Sequence, residues 1–186
     1  MTKIKLCIDP GHGMSNTKPG LYDPGAQAGG LAEADITLQW ALTLQWVCQQ
    51  NGIETWMTRS DDRTADPVGS RDDRAEAHGC THFIAIHCNC GGGQGAEAFY
   101  RDDKDKKLAD LLLKATVQAM GTKDRGLKTE GASQHTRLAV FDFDGPCSLI
   151  EIGFIDNSFD STRMTKRDVR LAWAQSLVLG LKRLYS

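Results

Sequence analysis

Short apolar runs alternate along this chain with stretches whose apolar residues recur at helical spacing, and few folds satisfy that pattern. Residues 4–8, 53–57, 83–87, 96–100, 138–141 and 148–152 read as strands. Leu108, Leu111, Leu112, Ala115 and Ala119 fall at helical spacing, as do Val169, Trp173, Leu177, Leu181 and Leu184. The segment 36–47 is ambiguous: Leu38, Trp40, Leu42, Leu44 and Trp46 alternate like a strand, whereas Ile36, Trp40, Leu44 and Val47 recur like a helix. Length decides for helix, because strands usually stop at about 4–8 residues, and Asn51-Gly52 supplies a stop signal. Strands alternating with helices predict an α/β fold in one domain over residues 1–186: a mainly parallel, twisted sheet with helices on both faces.

A formal net charge of −2 with no basic face or arm argues against a nucleic-acid partner. The first nine residues are too short and too soon charged for a signal peptide, and no apolar run approaches membrane-spanning length. Synthesis and folding in the cytosol are therefore expected, with no membrane insertion, and the chain is expected to be a monomer. The six cysteines, at 7, 48, 80, 88, 90 and 147, lack the spacing of a disulfide framework and are expected to be free thiols. Cys7, Cys80 and Cys147 adjoin strand-like runs and read as small buried hydrophobes. Cys88 and Cys90 sit beside His87, but no second pair follows at zinc-ribbon spacing, so a loop is the better reading.

Three phrases deliver a metal- or proton-handling side chain near the end of an apolar run: Asp9-Pro10-Gly11-His12-Gly13, Ile86-His87-Cys88-Asn89 and Ile150-Glu151-Ile152-Gly153. Parallel sheets bind ligands outside the carboxyl ends of their strands, so loops from distant sequence can meet there with Glu33, which precedes the first helical stretch. Each residue has a plainer alternative. His12 suits an exposed turn, and His87 suits a core imidazole satisfied by a carbonyl. Glu33 suits a favourable charge at a helix N-terminus. Glu151 interrupts an apolar run, which is costly unless it is paired, metal-bound or protonated; a buried salt bridge to Arg59 or Arg71 is its alternative. His78, His82 and His135 lack comparable settings and read as non-ligands. Together, two histidines and two glutamates match a zinc hydrolase, which needs three ligands, an open position and a carboxylate to move protons.

With Asp23-Pro24-Gly25-Ala26, Thr58-Arg59, Arg71 and Glu151-Ile152-Gly153-Phe154-Ile155-Asp156-Asn157 added, the chain from Ile8 to about Leu181 resembles the zinc-dependent type 3 N-acetylmuramoyl-L-alanine amidases. These form the catalytic domain of many bacterial cell-wall amidases and phage endolysins. The resemblance implies Zn2+ held by His12, Glu33 and His87, with Glu151 catalytic and peptidoglycan as substrate. The oxyanion donor is left between Arg71 and Asn89. Ala85, Cys88 and Asp156 depart from the family's usual Ser, Ala and Ser. With no separate wall-binding domain in the sequence, a phage or prophage endolysin released through a holin-type pore is expected, acting on the wall after release; a cytosolic amidase released by mother-cell lysis is the second choice. Two alternatives are a zinc peptidase cutting within the stem peptide and a non-catalytic wall-binding relative.

Overall fold

The computed structural model describes residues 4–133 and 137–185. Six strands form the central sheet: β1 (Lys5–Pro10), β2 (Glu54–Met57), β3 (His82–Asn89), β4 (Ala96–Tyr100), β5 (Asp124–Thr129) and β6 (Cys147–Phe154). They lie in the order β2-β1-β3-β6-β4-β5. The first four in that order are mutually parallel; β4 runs antiparallel to β6 and is followed by a parallel β5. The expected mainly parallel sheet is thus present, with a reversed pair at one edge. Among the described residues no helix is long and apolar enough to cross a membrane.

The helices are α1 (Glu33–Gln50), α2 (Arg71–Ala77), α3 (Asp103–Met120), α4 (Ser158–Met164) and α5 (Arg167–Leu184). Helix α1 takes the helical reading of the ambiguous segment, and the chain turns at Asn51 and Gly52, whose φ of 71° favours glycine. Helix α3 starts on a capping box between Asp102 and Asp105 and stops at a left-handed Gly121.

The two sheet faces are covered unequally. Leu6, Ile8, Ile84, Ile86, Ile150 and Ile152 point to the face buried by α1, α3 and α5. There Trp40 and Trp173 pack at 4.8 Å, and each indole N–H finds an oxygen, Met164 O and Thr116 Oγ1. The alternate residues Cys7, Phe83, Ala85, Cys147 and Leu149 point the other way, covered among the described residues by α2 and a short segment carrying Val140, Phe141 and Phe143. Cys7, Cys80 and Cys147 are the buried hydrophobes expected, and all six cysteines are free.

One expected strand is not there. Residues 138–141 contribute instead to a 3-10 turn, Ala139–Asp142. Val140 and Phe141 are adjacent yet both buried; a turn can aim neighbours at one surface, whereas a strand sends them to opposite faces. Conversely, β5 was missed because its sequence, Asp-Arg-Gly-Leu-Lys-Thr, is polar and bulges where it passes Glu97.

Candidate active site

The residues that follow β1 are held by two buried arginines. Gly11 N–H bonds to Ile86 O at 2.9 Å, fastening the loop to β3. Arg59 donates to the carbonyls of Pro10, Gly11 and Ala34 at 3.1, 2.8 and 2.8 Å, which joins the His12 loop to the first turn of α1. Arg71 pairs with Asp9 and Asp66 at 3.0 and 3.1 Å and donates to His12 O and Asn16 Oδ1. Neither arginine reaches Glu151, so the salt-bridge alternative for that residue falls. His12 itself is held at a φ of 65°, a conformation uncommon outside glycine.

These braces bring His12, Glu33 and His87 together. His12 Nε2 lies 3.0 Å from Glu33 Oε2 and His87 Nδ1 lies 3.1 Å from Glu33 Oε1. One donor atom from each residue lies within 4.8 Å of the others, a set able to hold a metal ion. Glu33 begins α1 and is buried, and its oxygens also accept from Ala26 N–H and Cys88 N–H. Two glycines make the closeness possible. A Cβ on Gly11 would stand 2.3 Å from the His87 ring, and one on Gly25 would stand 2.6 Å from the His12 ring and 2.7 Å from Glu33. Behind the site, Asp23 Oδ2 lies 3.0 Å from His12 Nδ1 and accepts from Asn16 at 2.6 Å. Such a carboxylate fixes the tautomer so that Nε2 is left free as a donor atom.

Charge follows geometry. Burial disfavours a charged His12, yet hydrogen bonds and attraction from Glu33 and Asp23 push its pKa up to about 9. Burial likewise opposes a Glu33 carboxylate, and bonding to both histidines overrides it, holding the group well below the usual carboxylate range.

Glu151 is the cross-strand neighbour of His87 on one side and of Glu97 on the other, so three polar side chains form a row on the thinly covered face. Its Oε2 is shielded from solvent and has no hydrogen-bond partner among the described residues. Burial first, and then the charges of Glu33 and Glu97, push its pKa well above the ordinary carboxylate value. Of the two oxyanion donors considered, Arg71 is buried in its brace, and Asn89 Nδ2 donates to Glu97 Oε1 at 2.9 Å. Cys88 is a strand residue, buried in the helix-covered core, while Cys90 is exposed, so they do not form a ligand pair. His78 caps the end of α2 and His82 opens β3, both outside the donor set; His135 lies outside the described residues. Asp156, where the family's usual residue is serine, accepts from the Gly91 and Gly92 N–H groups and clamps that loop.

Asp23, Arg59 and Glu97 carry structural weight that sequence reasoning did not assign. For Asp23 and Arg59 the signal was their place in short quoted phrases; Glu97 had none.

A family profile described as N-acetylmuramoyl-L-alanine amidase matches residues 6–183. The N-acetylmuramoyl-L-alanine amidase CwlM of Bacillus licheniformis is 30% identical over 182 residues, covering 95% of this chain and 65% of that protein. The sporulation-specific N-acetylmuramoyl-L-alanine amidase of Bacillus subtilis is 30% identical over 188 residues, covering 98% and 69%. The chain thus spans about two thirds of the length of these curated relatives. Among solved structures, the catalytic domain of CwlV, an N-acetylmuramoyl-L-alanine amidase from Bacillus (Paenibacillus) polymyxa var. colistinus, superposes with a TM-score of 0.82 at 26% identity, covering 98% of each chain. A match along nearly the whole sheet and its loops, rather than at one motif, makes this chain a member of the N-acetylmuramoyl-L-alanine amidase family.

Proposed function

We propose that this protein is a zinc hydrolase that cuts the amide between N-acetylmuramic acid and L-alanine in peptidoglycan. The observation that carries the reading is the solvent-shielded, unpartnered Oε2 of Glu151 beside a His-Glu-His donor set. Two imidazoles and one carboxylate suit zinc, and Asp23 behind His12 is the outer carboxylate such ligands use. In this reading His12, Glu33 and His87 hold the ion. When bound, it supplies Lewis acidity toward the scissile carbonyl and acidifies water. Glu151 takes the proton of the attacking water on its carboxylate and returns it to the leaving amine of L-alanine. Burial raises its pKa, which is the direction a general base working near neutral pH needs. Arg59 ties the His12 loop to the first turn of α1, and Arg71 ties that loop to the segment before α2.

Purified peptidoglycan, incubated with protein before and after chelation and zinc restoration, tests this. Intact stem peptides with free L-alanine amino termini should appear, stop with chelator and return with zinc, at one zinc per chain. Cleavage inside the stem peptide would instead mark a peptidase, and binding without turnover would mark a wall-binding relative. The expected setting is lysis by a phage or prophage endolysin. The name of the sporulation-specific relative favours wall turnover by the bacterium itself. Expression with and without a holin-type pore separates the two, since only an endolysin depends on the pore to lyse the cell.

A further inference from the structure

The row that runs from His87 through Glu151 to Glu97 ends on two cations of the edge strand. Glu97 is buried, and its Oε2 accepts from Arg125 Nε and Lys128 Nζ, each at 2.6 Å. Two positive charges against one carboxylate leave a net positive charge beside Glu151. Arg125 is held on two more sides. Its guanidinium lies over the Phe154 ring, 4.8 Å from its centre, and its Cγ passes beside Gly95, where a side chain would collide with it. With Nε tied back to Glu97, the Nη1 and Nη2 edge has no hydrogen-bond partner among the described residues, and the side chain is 29% exposed.

We propose that Arg125, seconded by Lys128, is a specificity residue that receives a carboxylate of the stem peptide. The inference rests on the amidase reading above. A guanidinium fixed at Nε and by its face presents two parallel N–H donors, the geometry that binds carboxylate bidentately. Fixing it beforehand removes much of the ordering cost of binding. Adjacent strands stand about 4.8 Å apart, so Arg125, two strands from Glu151, is roughly 10 Å from it. An extended peptide covers that span in about three residues. The carboxylate therefore belongs to the second or third residue beyond the cut. The glycan side offers none, because the lactyl carboxyl of muramic acid is itself the acyl half of the scissile amide.

The test uses two soluble muramoyl peptides that differ only in bearing free carboxylates or carboxamides at the second and third residues. Zinc-loaded wild type should cleave the carboxylate form with a kcat/KM roughly 10–100-fold higher, the difference lying in KM. Arg125→Gln should bring the two substrates together, and Arg125→Lys should recover only part of the preference. Calorimetric binding of the two released stem peptides to the same proteins repeats the comparison without turnover. Absence of cleavage of either substrate would thus count against the amidase reading, while the binding preference still decides the subsite. Equal kcat/KM and equal affinity for both forms in wild type overturn the proposal. So does an Arg125→Gln protein that loses the same factor on both substrates, which is what a merely structural partner of Glu97 would give.

Discussion

Replacing Glu151 by Gln separates proton transfer from everything else that residue touches. The amide has nearly the volume of the carboxylate, so packing survives. It cannot accept the water proton, and hydrolysis should fall roughly 10²–10⁴-fold while zinc content and melting temperature hold. Near-wild-type turnover by the folded variant would sink the mechanism. Asp23 gives a second test at this scale. Asp23→Asn removes the charge behind His12 Nδ1, and zinc affinity in a chelator competition should drop about 10–100-fold. Unchanged affinity would make Asp23 a loop brace only. His12 and Glu151 stand out in the sequence because each is an unusual choice in its setting, a histidine between glycines and a carboxylate inside an apolar strand, whereas Glu33 and His87 look ordinary by themselves and stand out only through the resemblance to the family. Asp23 and Glu97 were not legible as site residues. Their meaning lies in what they face, His12 across a turn and Glu151 across a strand pair, and neither relation has a sequence period.

At the scale of elements, the long periodic segments and five of the six short apolar runs read true, and the run 138–141 did not. Helices α1, α3 and α5 have apolar faces several turns long, and in α1 that length outweighs the strand-like alternation. A four-residue apolar run such as 138–141 carries no period, and its burial on one surface made it a turn. Strand β5 hid behind the opposite problem, because an edge strand dressed in charge avoids pairing with other molecules. The braces between elements have no sequence signature of their own, although Thr58-Arg59 and Arg71 belong to the phrases that carry the family resemblance. Arg71 joins β1, the His12 loop and the segment before α2, through Asp9, Asn16 and Asp66. Arg71→Met should cost about 3–5 kcal/mol in denaturant unfolding, since it strands two buried carboxylates. A loss under 1 kcal/mol would mean that Arg74, which also pairs with Asp66, carries the network.

For the molecule as a whole, unequal cover on the two sheet faces explains both stability and access. The helix-covered face supplies the large core, while the thin face ends in the polar row of His87, Glu151 and Glu97. The thiols report on this directly. Cys90 is exposed and the other five cysteines are buried. A thiol reagent should label one cysteine promptly in native protein and six after denaturation without reductant. Fewer than six would reveal a disulfide, and several fast thiols would mean that the thin face opens readily.

The strand order has a further consequence for how the protein is made. Strand β6 is the last in the chain, yet it lies between β3 and β4. A growing chain therefore has to keep a slot open in the middle of its sheet while α3 and β5 are synthesised. His12, Glu33 and His87 all emerge before that slot is filled, and Glu151 arrives only with the strand that fills it. Closing the sheet and adding the proposed proton carrier are one event, so in that reading a half-made copy of the chain is unarmed.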